Sequence, residues 1–338
     1  MKKALLVQIV MAAAVALLAL APVSAEAQKV FRWRFGIYFP TMDSLEGRQA
    51  TKFVKAVYER SDGRLLIDVF PGGMLGYSSF THHRVVGDGL LEMGTTMSAA
   101  MVGAPEWETL SHVFLFKTRE DAQKAWSVAL PVLEKVTDAK FNSKVMGAIV
   151  PEFDYMLSKI PLRTVADWKG QKFRAWQKQL ACWFTEMGAT PMVIPFHETY
   201  TALATGVVVG NSGMLRAALD VKFPEVMKYV NTGWTPNMPI FVTLVNKDAW
   251  NALPPDLQKI LTEEADKYFS QTGDLYWNAW SQSLEALVKK GMQKVDSPAE
   301  EVKAGSARAR KCWDKWMSET TPAAAALMRT IITNLDTK

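Results

Sequence analysis

Four short constellations in this chain hold the residue types of catalysis, metal binding or nucleotide binding. His197-Glu198 opens like a zinc-protease helix, but Thr201 stands where a second His must sit one turn later to reach the metal. Ser212, between Gly210-Asn211 and Gly213, is off the spacing that lifts a nucleophilic Ser onto a strand-to-helix elbow. Gly87-Asp88-Gly89 lacks the third glycine of a dinucleotide loop, and no P-loop is present. His82-His83 are adjacent in a predicted loop, where neighbouring side chains point apart, and no further ligands follow at zinc spacing. With no paired nucleophile and base the sequence points away from an enzyme. Neither a metal nor a cofactor is expected.

A longer stretch carries more information. Pro161, Asp167, Gly170, Lys172 and Arg174 form the pattern Pro-x5-Asp-x2-Gly-x-Lys-x-Arg. Gly188-Ala189-x-Pro191 follows, then Pro195-Phe196-x-Glu198-x-Tyr200-x-Ala202-Leu203-x2-Gly206-Val207-Val208. Arg174 falls at the end of a predicted strand, where α/β sheets gather ligands. Its planar, permanently charged fork matches a carboxylate. With Glu59 to Leu65, Val69 to Gly76 and Asn246 to Pro254 as supporting segments, nearly the whole chain after residue 27 resembles the solute-binding proteins of tripartite ATP-independent periplasmic (TRAP) transporters.

The resemblance implies a two-domain α/β periplasmic solute-binding protein with a central ligand cleft, hinge strands and long C-terminal helices. It would close on a small organic carboxylate held by a two-point salt bridge from Arg174, and deliver it to the small and large membrane subunits of a TRAP permease. Phe39, Trp107, Trp176, Phe196 and Trp234 fall in or beside segments that line the cleft in the family, and Asn211 and Gln177 are candidate donors. Several positions depart from the family pattern. Asp154 stands where many members place a second basic residue, and Val209, Gly213 and Trp234 replace polar groups. A second ligand carboxylate loses its partner, and a hydroxylated sugar acid would bury hydroxyls without hydrogen bonds. The expected ligand is a hydrophobic or aromatic monocarboxylate, a 2-oxo or 2-hydroxy acid. The alternatives are a dicarboxylate or sugar acid, for which Arg84 or Arg216 would enter the cleft, and a receptor that presents its ligand to a membrane sensor kinase.

The elements that must position these residues follow from hydropathy. Phe31 to Phe35 and Leu65 to Val69 alternate as strands, with a helix between them that Asp43 or Ser44 caps and Gly63 ends. Strands are predicted at Val145 to Val150, Lys172 to Trp176, Met192 to Ile194, Val207 to Val209 and Ile240 to Val245, interleaved with helices. From Pro254 onward the chain reads as helical, with a capping box at Ser297-Pro298-Ala299-Glu300. The division expected is 28–151 plus 240–279 for one domain and 152–239 plus 280–338 for the other.

The 338 residues, 49% hydrophobic and 22% charged, lie in the globular range and exclude a disordered or fibrous protein. A net charge of +5 without a long basic block argues against a nucleic-acid partner. Met1-Lys2-Lys3, the apolar run from Ala4 to Leu20 and small residues up to Ala27 read as a signal peptide over 1–27, cleaved near 25–27, and hence export to the periplasm. Cys182 and Cys312, each followed by Trp, read most simply as two buried free thiols, with one bridge between them as the alternative in an exported protein. The receptor is expected to be a monomer.

Overall fold

The computed structural model describes residues 29–336, and the expected signal peptide lies outside them. β1 (Phe31–Gly36) buries Trp33 and Phe35 on its alternating face. α1 (Leu45–Arg60) starts where Ser44 Oγ accepts the amide of Gly47, buries Ala50, Phe53 and Val57, and ends before Gly63 at φ +74°. β2 (Leu65–Phe70) returns parallel to β1, completing a strand–helix–strand unit.

The chain continues through α2 (His82–Gly87), β3 (Met93–Met97), α3 (Arg119–Phe141), β4 (Ser143–Ile149), β5 (Tyr155–Ser158), β6 (Lys172–Ala175), α4 (Lys178–Glu186), β7 (Thr190–Val193) and α5 (Thr199–Ala204). β8 (Gly210–Gly213), α6 (Leu215–Asp220), β9 (Tyr229–Asn231), β10 (Phe241–Asn246), α7 (Lys247–Ala252), α8 (Pro255–Lys289), β11 (Gln293–Val295), α9 (Ala299–Glu319) and α10 (Pro322–Asp336) complete it. Two sheets result, with strand orders β2-β1-β3-β10-β4 and β11-β9-β5-β8-β6-β7. In the first, β10 runs antiparallel to both β3 and β4; in the second, β6 runs parallel to β7 and β8.

α8 spans both layers. Leu261, Ala265 and Phe269 share a core with Phe35 and Phe53 beside the first sheet, while Leu287 packs with Leu157 and Leu215 beside the second. Between these ends Gly273 lies so close to the β4–β5 crossing that a Cβ there would stand 3.0 Å from the Val150 carbonyl oxygen.

Three expectations are corrected. The strand expected at Val207 to Val209 begins at Gly210, because pairing with β5 and β6 starts there. The Ser297 capping box does not form: its hydroxyl donates to the Leu162 carbonyl, and α9 starts after Pro298 without a side-chain cap. α10, grouped by sequence with the second domain, buries Leu327, Met328 and Ile331 against Trp107, Leu110 and Leu133 on the side of the first sheet.

Candidate ligand-binding site

A cavity with about 410 Å³ of empty space, open solvent at its mouth included, lies between residues of the two sheets. Tyr38 and Phe39, just beyond β1, Met97 at the end of β3, and Phe241 of β10 form one wall. Asp154, Arg174, Trp176, Asn211 and Ser212 form the other, with Phe196 beside them. Arg174 and the loops after β1 and β3 sit at carboxyl ends of strands, where parallel pairing leaves room for a ligand.

Arg174 is 2% exposed. Its Nε donates to the Ile194 carbonyl at 2.9 Å and its Nη1 to Asn211 Oδ1 at 3.0 Å. The guanidinium also lies 5.8 Å from the centre of the Phe196 ring. Those two bonds fix the fork and leave Nη2 for a ligand. Burial lowers Arg174 to about 10, opposed by Tyr38 and Asp154, so the group is still a cation at neutral pH. Among the described residues no carboxylate stands within salt-bridge distance of it. A buried guanidinium without an anion is unfavourable, and an entering carboxylate supplies the missing charge.

Asp154 is the other charged group of the wall. Its Oδ2 accepts the Trp176 indole N–H at 3.2 Å and the Ser212 hydroxyl at 3.0 Å. Burial pushes its carboxyl up to about 7, against the pull of Ser212, Trp176 and Arg174. Behind Tyr38 and Phe39 the buried carboxylate of Glu46 accepts both their backbone amides, at 3.0 Å each through Oε2, and so sets the direction of both rings. Burial raises Glu46 to about 7 despite those bonds. Phe39 meets Phe196 edge to face at 6.0 Å across the cavity.

The structure brings together Phe39, Asp154, Arg174, Trp176, Phe196 and Asn211 of the residues expected from sequence. It moves three others away. Trp234 is fully buried in an aromatic core with Trp168 and Trp183, its indole donating to Leu162 O at 2.8 Å. Trp107 donates to Thr137 Oγ1 at 3.0 Å within the core below α3. Gln177 spends its amide on the Ser111 carbonyl at 2.9 Å. In each case the donor N–H finds an internal acceptor, which holds the side chain off the cavity, while Gln177 Oε1 is buried without a partner. Sequence reasoning missed Tyr38, Met97 and Phe241, which sit in or beside buried strands where nothing separates a cavity wall from ordinary core.

The expected free thiols are a disulfide instead: Cys182 of α4 and Cys312 of α9 are bonded, with Cα atoms 6.0 Å apart. The helices lie side by side, and Trp183 Nε1 donates to Gly305 O at 3.0 Å as a second tie. The described residues hold no group of three or more His, Cys, Asp or Glu arranged for a metal, and no helix among them is long and apolar enough to cross a membrane.

Two α/β layers facing one another across a cavity with a buried, unpaired arginine define a solute-binding receptor. A family model for bacterial extracellular solute-binding protein, family 7, matches residues 36–320, and the chain belongs to that family. The 2,3-diketo-L-gulonate-binding periplasmic protein YiaO of Escherichia coli is 28% identical over 242 residues, 69% of this chain and 71% of its own. The C4-dicarboxylate-binding periplasmic protein DctP of Rhodobacter capsulatus is 27% identical over 237 residues, 66% of this chain and 69% of its own. A TRAP periplasmic solute-binding protein from Desulfovibrio salexigens, solved with bound orotic acid, is 26% identical and superposes with a TM-score of 0.81 over 90% of this chain and 99% of that one. These relatives are transport receptors of the periplasm rather than enzymes. The chain is a solute-binding receptor of the TRAP type.

Proposed function

We propose that this receptor binds a small organic monocarboxylate with an apolar or aromatic body, and delivers it in the periplasm to the membrane subunits of a TRAP permease. The observation that carries the reading is Arg174, buried, oriented by Ile194 and Asn211, and lacking an anion. The carboxylate of the ligand docks on the fork, and Asn211 beside it keeps the fork from rotating. The body then lies among Phe39, Trp176, Phe196 and Phe241. A second carboxylate on the ligand would share the cavity with Asp154, and two carboxylates buried together are unfavourable by several kcal/mol, about the cost of an unpaired buried ion. The orotic acid bound by the Desulfovibrio relative is a planar ring with one carboxylate and supports a ring monocarboxylate, with polar carbonyl and N–H groups on the ring.

The sheet of β1 to β4 with β10, and the sheet of β5 to β9 with β11, act in this reading as lobes that close over the ligand. The lobes of this reading, among the described residues, are 29–151 plus 240–279 and 152–239 plus 280–321, with α10 joined to the first. A second reading, a dicarboxylate or sugar acid, is favoured by the names of the Rhodobacter and Escherichia relatives. A thermal-shift screen of organic acids, followed by calorimetry of the hits, decides between them. A ligand that binds only the folded chain raises its melting temperature by mass action. The proposal requires ring or branched monocarboxylates among the strongest hits; a screen in which only succinate, malate or hexuronates shift the transition overturns it.

A further inference from the structure

The wall that holds the Arg174 fork also carries an acid, whose hydrogen bonding is incomplete in one respect. Asp154 lines the cavity, yet only Oδ2 is used by the protein, receiving both Trp176 Nε1 and Ser212 Oγ. Oδ1 has no donor among the described residues. Asn211 shows the complementary pattern: Oδ1 is taken by Arg174, while Nδ2 is buried with no acceptor. One wall therefore offers both donors, from Arg174 and Asn211, and a single acidic oxygen.

We propose that Asp154 forms a second recognition point, and that the ligand of this receptor is a small carboxylate that also carries an N–H donor, received by Asp154 Oδ1. This deepens the monocarboxylate reading above and rests on it. An N–H fits where a hydroxyl fits poorly. It brings one donor and no lone pair, whereas a hydroxyl would leave its own oxygen facing the apolar rings of Phe39, Trp176 and Phe241. Charge points the same way. A ligand carboxylate pairs with Arg174 and leaves the Asp154 carboxyl, when ionised, as the cavity charge without a partner. A donor on the ligand, neutral or cationic, stabilises that charge through a bond to the anion. The two donors already on Oδ2 hold the carboxylate in place, which is the preorganisation a selective contact needs.

The test uses isosteric ring pairs. Calorimetry of the purified chain with pyrrole-2-carboxylate and pyrrole-3-carboxylate against furan-2-carboxylate and furan-3-carboxylate replaces an N–H by an oxygen acceptor at nearly constant shape. The proposal requires the better pyrrole acid to bind at least tenfold tighter than its furan counterpart, since a hydrogen bond to a charged group is lost and a lone pair is set against the carboxylate. In Asp154→Asn that preference should fall below threefold, with the melting transition of the variant as the control for folding. L-proline, with a cationic nitrogen, separates the two forms of the donor: tighter binding than the pyrrole acids assigns an ammonium, weaker binding a neutral N–H. Furan acids that match or exceed the pyrrole acids in the parent chain overturn the proposal without any variant, as does a preference that survives in Asp154→Asn. Thiophene-2-carboxylate, with no strong donor or acceptor in the ring, tests the underlying reading. If it binds while the pyrrole preference is missing, only the second recognition point fails; if no ring carboxylate binds at all, the monocarboxylate reading fails and takes this inference with it.

Discussion

Arg174 and Asn211 are register partners on the parallel strands β6 and β8, and Oδ1 of Asn211 accepts a 3.0 Å hydrogen bond from Nη1 of Arg174. The backbone ladder thus places the two side chains, and the side-chain bond fixes the plane of the guanidinium. A fork held in this way loses little freedom when a carboxylate arrives.

Arg174→Ala should weaken carboxylate binding by about 2–5 kcal/mol, the usual cost of removing one partner of a buried charge pair, or roughly 30-fold to several-thousand-fold. Arg174→Lys should also bind poorly, because an ammonium cannot reproduce the fork. Asn211→Ala should lose less, about 1–2 kcal/mol for an orienting hydrogen bond to a charged group. Calorimetry that places Arg174→Ala within a few-fold of the parent removes this residue from the site.

Selectivity should follow the apolar wall. An aromatic or branched monocarboxylate gains about 25 cal/mol for each Å² of apolar surface buried, whereas a four-carbon dicarboxylate must seat its second charge near Asp154. Competition titrations should rank the aromatic acid ahead of succinate, malate and a hexuronate; a tenfold preference for any of these three reverses the assignment.

The Cys182–Cys312 bond closes a long loop, with a sequence separation of 130, so opening it should destabilise the fold by about 2–4 kcal/mol. For a chain of this size that is a fall in melting temperature of roughly 3–6 °C. The Cys182→Ser, Cys312→Ser double variant, scanned by calorimetry, should show this fall with ligand affinity changed less than twofold, since neither residue lines the cavity.

Stability of the free receptor should decline between about pH 6.5 and pH 8. Burial raises Glu46 to about 7, Asp154 to about 7 and Glu152 to about 8. Their contribution is therefore fully present below the unfolded carboxyl value and is lost as pH rises through the folded ones. Burial lowers His82 and His83 to about 4 and His112 to about 3. Theirs is fully present above the unfolded His value of about 6.5 and is lost as pH falls. The two sets oppose each other between about pH 4.5 and 6.5, leaving the carboxyls alone above it. Glu152→Gln, which mimics the protonated acid, should raise the melting temperature at pH 8 and change it little at pH 5. A parent chain whose melting temperature climbs from pH 6.5 to 8 contradicts this account.

Much of this architecture was legible because its signals are local. β1, α1 and β2 follow from alternation, a serine cap and a glycine in the left-handed region, and Arg174 follows from a long ordered motif ending on a strand. The failures share a cause of a different kind. Trp234 and Trp107 look like cleft aromatics in one dimension, but their indole nitrogens are claimed by Leu162 and Thr137, which lie 72 and 30 residues away. The disulfide depends on the meeting of α4 and α9 across 130 residues, and β3, whose residues Met93 to Met97 are all buried, offers no alternation to read. Partnership over such separations is decided by packing, and packing leaves no periodic trace in the chain.

Mechanically, α8 is a leaf spring clamped at both ends. Its 35 residues extend roughly 52 Å at 1.5 Å per residue. One end is gripped beside the first sheet and the other beside the second, and the span between them rests on the Val150 carbonyl at Gly273. Any rotation of one sheet relative to the other must flex this spring over that fulcrum. If the lobes close as proposed, the stiffness of a single helix and the slimness of a single glycine bear on how far the jaws travel and how briskly they return.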